Sequence, residues 1–223
     1  KKDDGSSEAA KTEEPAGEVT ITMAMTAPWD TFIPFNTTNA NTDCVLELMY
    51  DKMIVVKANG EHEPRLATEW TQDEEGKVLT FKLNENAKWH DGEAVTADDV
   101  VFTCELMANG AINHPRRSKV AFFTGTDDSG VRVEGEDFGV VALDEHTVQF
   151  TMKNPAPLSY MLTQTFRDFY VLPQHLLADI PADQVMTDEF WQHPIGSGPC
   201  IYQSDISGER VEFTANKDYY LGA

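Results

Sequence analysis

Histidine, aspartate and serine are the side chains with which a chain of this kind would break a bond, and His90-Asp91 is its only adjacent His–Asp pair. With Ser197 of Gly196-Ser197-Gly198-Pro199 as nucleophile, His90 as base and Asp91 as orienting group, the sequence offers the parts of a secreted hydrolase. The surroundings argue against it. No Gly-x-Ser-x-Gly elbow is present, and Pro199 follows the glycine-serine turn where such an elbow would open a helix. Asp91-Gly92 suits a tight reversal after Trp89, and the turn is the reading these residues favour. His62, His90, His114, His146, His175 and His193 show no i,i+4 pairing and no cysteine at ligand spacing, so no metal site is expected. Arg116-Arg117 could clamp a carboxylate, although a solvated basic pair is the plainer reading. Cys44, Cys104 and Cys200 are too few and too scattered for a disulfide framework, and Cys104 reads as a small buried apolar residue. A different chemistry lies in the loops, where Trp29, Phe32, Phe35, Phe122, Phe123, Phe166, Phe169 and Tyr170 accompany several asparagines. Large apolar side chains with a few placed polar groups are what a binding cleft is made of.

The elements that would hold these residues follow from periodicity. Val19–Met25 alternates and predicts a strand; Ala27–Asn41 reads as loop. Val45, Leu48, Met49 and Met53 recur at helical spacing after an N-cap at Asn41 or Thr42. Leu79, Phe81 and Leu83 predict a strand. Thr96-Ala-Asp-Asp99 fits a capping box for a helix with a stripe at Ala97, Val100, Val101, Cys104, Met107 and Ala108, ended by Asn109-Gly110. Val140–Ala142 and Val148, Phe150 and Met152 predict a hairpin around Asp144-Glu145, and Pro173 can start a short helix. Val211 and Phe213 predict a last strand, while 110–138 is ambiguous. Strands and helices mixed without a βαβ rhythm give the class α+β.

Composition narrows the function. The 223 residues are 41% hydrophobic, enough for a sizeable core, and Lys+Arg 17 against Asp+Glu 38 leaves a net charge of −21. Such acidity repels phosphate backbones and excludes nucleic acid as a partner. No run of 18 apolar residues is present for a membrane span. Residues 1–18 hold three lysines against six acids and no large apolar side chain, so they read as a disordered acidic linker, either a spacer behind a lipid-modified N-terminus or an ordinary frayed end.

Several ordered blocks carry a resemblance. Leu66-Ala-Thr-Glu-Trp70, Leu79-Thr-Phe-Lys-Leu83, Lys88-Trp-His-Asp-Gly92, Val95-Thr-Ala-Asp-Asp-Val-Val-Phe102, Gly196-Ser-Gly-Pro199 and Asn216-Lys-Asp-Tyr-Tyr-Leu-Gly222 resemble, in order and spacing, the family 5 extracellular solute-binding proteins, the peptide, oligopeptide and nickel receptors of ABC importers. The resemblance runs from about Val19 to the end. It implies the first lobe of a two-lobed periplasmic-binding-protein-like fold: a core subdomain (19–50 and 174–223), an inserted subdomain (51–173), and a second lobe beyond. His90-Asp91-Gly92 then becomes scaffold, and the protein is no enzyme but a receptor that closes on a small solute, a di- or oligopeptide, and delivers it to permease subunits. The resemblance puts Thr38, Asn39, Ala40, Asn41 and Thr42 against the ligand backbone, Ser197, Phe122 and Tyr219 at the cleft, and Trp29 and Phe32 on the wall of a side-chain pocket. Groups that anchor ligand charges fall in the absent lobe, and no cofactor is implied. A lipid anchor upstream of the linker would hold the receptor on the extracellular face of the membrane, with the periplasm as the alternative. The runner-up ligand is a metal chelate or heme; outside transport, the alternatives are the hydrolase above and a non-transport interaction module.

Overall fold

The computed structural model describes residues 22–222. The linker 1–18 and the first three residues of the expected strand at Val19–Met25 lie outside the described residues, and residues 22–25 carry no regular structure. The chain is α+β, as its periodicity predicts.

Four antiparallel strands form the main sheet: β3 (Ala67–Gln72), β4 (Val78–Leu83), β5 (Val140–Asp144) and β6 (Thr147–Thr151), in the order β3-β4-β6-β5. Leu79 faces Phe150 and Phe81 faces Val148 across the β4–β6 pair, so the alternating apolar positions of both strands fall on one face. On that face Phe81, Phe123, Phe150 and Phe166 pack with ring centroids 4.6–6.5 Å apart. Helix α2 (Ala97–Ala108) packs on β5 and β6, burying Val100, Cys104 and Met107.

Helix α1 is Ala40–Met49. Its N-cap is Asn39, two or three residues earlier than the sequence suggests. The cap sits where an amide oxygen can accept from the Asn41 N–H (2.9 Å), and Asn41 and Thr42 are already helical. Met53 lies beyond the helix, fully buried. The chain continues through a small hairpin, β1 (Ile54–Val56) with β2 (His62–Pro64). The ambiguous stretch 110–138 is loops and turns around a 3-10 turn at Arg117–Lys119. Helix α3 (Leu158–Met161) runs into a π-turn at Leu162–Phe166, and Pro173 caps the short α4 (Gln174–Leu177). A separate hairpin closes the fold, β7 (Cys200–Ile206) with β8 (Arg210–Ala215), and β7 packs on α1.

Candidate functional site

Helix α1 organises both candidate regions, one at each end. At its N-terminus the loop from Trp29 to Thr42 doubles back and is fastened on Asp30. The Thr42 hydroxyl donates to Asp30 Oδ1 at 2.7 Å, the Thr37 hydroxyl donates to the same oxygen at 2.9 Å, and the Asp30 N–H donates back to Thr42 Oγ1 at 3.0 Å. Asn39 caps the helix and uses its amide Nδ2 on the Pro28 carbonyl (3.1 Å). Thr42 and Thr37 are buried by this fastening, Asn39 and Asn41 are half-buried, and Thr38 and Ala40 remain exposed. The backbone N–H groups of Thr38 and Ala40 have no protein acceptor among the described residues. A helix start offers such N–H groups to an incoming carbonyl or carboxylate. Trp29 and Phe32 lie 6.2 Å apart by ring centroids, and Phe32 stands edge-on to Tyr202 of β7 at 5.2 Å. Phe32 is largely buried in this stack, whereas Trp29 is half-exposed.

At the C-terminus of α1, about 15 Å away at 1.5 Å per residue, Gly196-Ser197-Gly198 lies flat against the last carbonyls. The Gly198 N–H donates to the Met49 carbonyl at 2.8 Å, and a Cβ at Gly196 would stand 1.9 Å from that same oxygen. Ser197 is 1% exposed and its Oγ accepts from the Asp51 N–H (3.3 Å). Tyr219 donates its hydroxyl to Asp51 Oδ2 (2.7 Å) and receives Arg65 NH1 at 3.2 Å; Tyr220 also donates to Asp51 Oδ2. Burial pushes the Asp51 carboxyl above the usual carboxylate range, while the tyrosine hydroxyls pull it back down. Ser197 and Tyr219 are thus brought together, but in a buried network tying the end of the chain to the end of α1. Phe122 is gathered with neither group: it is half-buried against Tyr160, 6.0 Å between ring centroids.

His90, Asp91 and Ser197 do not assemble for catalysis. His90 holds the glycine turn with both ring nitrogens, Nε2 on the Gly198 carbonyl (3.0 Å) and Nδ1 facing the Gly196 N–H (3.3 Å), the neutral Nε2–H tautomer. Asp91 pairs with His175 at 2.8 Å. Among the described residues no group of three or more His, Cys, Asp and Glu side chains is placed to hold a metal ion.

Three residues outside the expected set do much of the positioning. Asp30 and Asp51 belong to no motif in the sequence, and only the fold discloses their donors. Arg116 does clamp a carboxylate, as its chemistry allows, but an internal one: NH2 donates to Asp43 Oδ1 of α1, Nε to the Thr37 carbonyl at 2.9 Å, and NH1 to the Asp168 carbonyl at 3.3 Å. Arg117 donates to the Asn109 carbonyl instead (3.2 Å).

Comparison with known proteins places this geometry. The family model described as bacterial extracellular solute-binding proteins, family 5 Middle, matches residues 61–223. A putative ABC transporter peptide-binding protein of Brucella ovis is 34% identical over 146 residues, 65% of this chain and 24% of that protein. The periplasmic oligopeptide-binding protein OppA of Salmonella typhimurium is 33% identical over 182 residues, 78% of this chain and 32% of its own. Among solved structures, the ABC transporter substrate-binding protein CtaP of Listeria monocytogenes superposes with a TM-score of 0.73 at 27% identity, covering 89% of this chain and 37% of that one. The chain therefore spans about a quarter to a third of the length of the curated relatives it matches. On this match the chain belongs to the family 5 bacterial extracellular solute-binding proteins.

Proposed function

We propose that this chain is the first lobe of a receptor that captures a peptide outside the cell membrane and delivers it to the permease subunits of an ABC importer. The observation that carries this reading is the α1 loop. Buried side chains fasten it on Asp30 and Arg116, yet Thr38 and Ala40 stay exposed and their backbone N–H groups have no acceptor among the described residues. A peptide is a ligand made of such acceptors, and main-chain hydrogen bonds bind it with little regard for side chains. Trp29 and the Phe32–Tyr202 stack supply apolar surface beside that loop. Names of relatives agree in kind: the Brucella and Salmonella proteins are called peptide- and oligopeptide-binding. In this reading the lobe is divided into 19–50 with 174–223 and the inserted 51–173. Ligand is trapped by closure against a second lobe, no bond is broken, and a lipid anchor tethers the receptor. Ser197 and Tyr219 act as framework under the cleft, and Phe122 stands as its most remote candidate.

The test is mass spectrometry of ligand co-purified with the full-length receptor, followed by calorimetric titration with unblocked synthetic tri- to pentapeptides. Recovery of peptides and saturable binding are expected. Recovery of a non-peptide solute, with no heat from any peptide, would overturn the reading.

A further inference from the structure

Arg116 joins three separate pieces of the chain at one buried junction. It is 9% exposed, in a chain where positive charge is scarce, and each of its three nitrogens donates to a different piece of the chain. Nε holds the carbonyl of Thr37, in the loop; NH2 holds the carboxylate of Asp43, in the first turn of α1; NH1 holds the carbonyl of Asp168, just past the π-turn that ends at Phe166. Lys119, one turn further on, donates Nζ to the carbonyls of Gln164 and Thr165, both at 3.3 Å. The end of the α3 helix is thereby capped by two cations from the 116–119 turn. Arg116 passes that anchorage on to the loop beside α1.

Thr37 is the residue gripped hardest. Its carbonyl is fixed by Arg116, and its hydroxyl donates to Asp30 while accepting from the Asn39 N–H at 3.0 Å. Pinning Thr37 on one side and Asn39, as helix cap, on the other leaves Thr38 as a single exposed residue suspended between two fixed ones. Its backbone orientation is then set before any ligand arrives. A guanidinium suits this work because its planar fork can serve three acceptors at fixed angles, which an ammonium cannot.

We propose that Arg116, acting with Asp30, is a positioning residue for ligand binding: it pre-orders the Thr37–Ala40 segment so that the N–H groups of Thr38 and Ala40 are presented to ligand without an ordering cost. The proposal rests on the peptide-receptor reading for its binding arm only. A loose segment has to be ordered when ligand binds, so releasing part of this one weakens binding by about ten- to a hundredfold.

The experiment compares wild-type full-length receptor with Arg116→Lys and, as a second route to the same loop, Asp30→Ala. The probe is the pool of unblocked synthetic tri- to pentapeptides, titrated calorimetrically, with amide hydrogen exchange measured on the ligand-free proteins. Arg116→Lys retains the charge opposite Asp43 and loses the grip on the two carbonyls. Affinity is expected to fall by about ten- to a hundredfold, with faster exchange confined to residues 36–42 and the core strand β4 as protected as in wild type. A general loss of stability would instead raise exchange in β4 as well. If Arg116→Lys fails to fold, Asp30→Ala carries the same expectation. Wild-type affinity in either folded variant overturns the proposal, as does unchanged exchange across 36–42. If the wild-type receptor binds no peptide, the peptide reading fails, and the exchange measurement alone decides whether Arg116 orders this segment.

Discussion

At Gly196 only a hydrogen atom fits. A Cβ there would lie 1.9 Å from the Met49 carbonyl oxygen and 2.7 Å from its carbon, both backbone atoms that cannot step aside without moving the end of α1. Gly196→Ala is therefore expected to cost about 3 kcal/mol or more, beyond ordinary overpacking; a urea midpoint equal to wild type would show that the turn does not press on the helix as described. His90 holds the same turn and makes it pH-sensitive. Burial is the main cause that keeps its imidazole below the ordinary histidine range, and a proton on Nδ1 would confront the Gly196 N–H. Above the unfolded value of about 6.5 the ring is neutral in both states and the stabilisation is complete. As pH falls below that value towards the lower folded one, the unfolded chain takes up the proton first and stability is lost. His114 is depressed in the same direction, again chiefly by burial, so the test needs a difference. His90→Gln supplies one donor and one acceptor without a titration. It should lose less stability than wild type between about pH 7 and pH 5 in urea unfolding, and equal losses would remove His90 as a source.

Helix α2 shows how one side chain can join elements. Asp99 accepts from the Thr96 N–H (2.8 Å) and hydroxyl (3.2 Å), as the capping box predicts, but also from Trp89 Nε1 (3.3 Å) and from the Gln174 N–H that opens α4 (2.8 Å). Asp99→Ala leaves buried donors unmatched and should cost about 3 kcal/mol or more. Trp89→Ala, at 2% exposure, should cost about 3–5 kcal/mol. Trp70 differs from Trp89: it is half-exposed on the edge strand β3, with its ring 6.3 Å from that of Phe81, and its truncation should cost only about 1–2 kcal/mol. Urea titrations rank the three, and a Trp70 loss equal to that of Trp89 would contradict this placement. The same contrast explains what the sequence discloses. Strands β4 and β6 and helix α2 are legible because each buries one regular face, and β5 because it pairs with β6 across the Asp144-Glu145 turn. β3 and β7 are not: β3 buries only Ala67 fully, β7 buries no residue fully, and their polar positions break the alternation. At the site, the glycines of 196–198 are readable from residue type, and the cap at Asn39 to within two or three positions. Ser197 and Tyr219 are not, because both answer to Asp51, 146 and 168 residues away in sequence.

Across the whole molecule, acidity sets the behaviour. With 38 acids against 17 basic residues the chain repels itself, and the ion pairs Lys57–Glu63, Lys82–Glu69 and Arg210–Glu212 are exposed on both sides and worth little each. Raising salt from about 0.05 M to about 0.5 M shortens the screening length from roughly 14 Å to roughly 4 Å. Tm should therefore rise with salt, and a fall would mean that attraction between specific pairs outweighs the general repulsion. A ligand meets a different deficit. The lobe carries its own sheet, helices and buried aromatic cluster, so residues 1–223 should fold alone with a single cooperative transition. A closed receptor buries about 70–90% of a small ligand, and one lobe covers about half of that. If the missing contact is roughly 200 Å² of apolar area, at about 25 cal/mol per Å² the loss is on the order of 5 kcal/mol, a thousandfold or more in affinity. In the proposed two-lobed reading, not having to close a hinge returns part of it, and losing contacts to the other lobe deepens it. Titrating both proteins with the same co-purified peptide measures the balance, with micromolar binding by the full-length receptor expected to become millimolar in the lobe. Comparable affinities would mean that the Thr38–Ala40 surface and the Trp29–Phe32 wall form the complete site, and the clamp between two lobes would have to be given up.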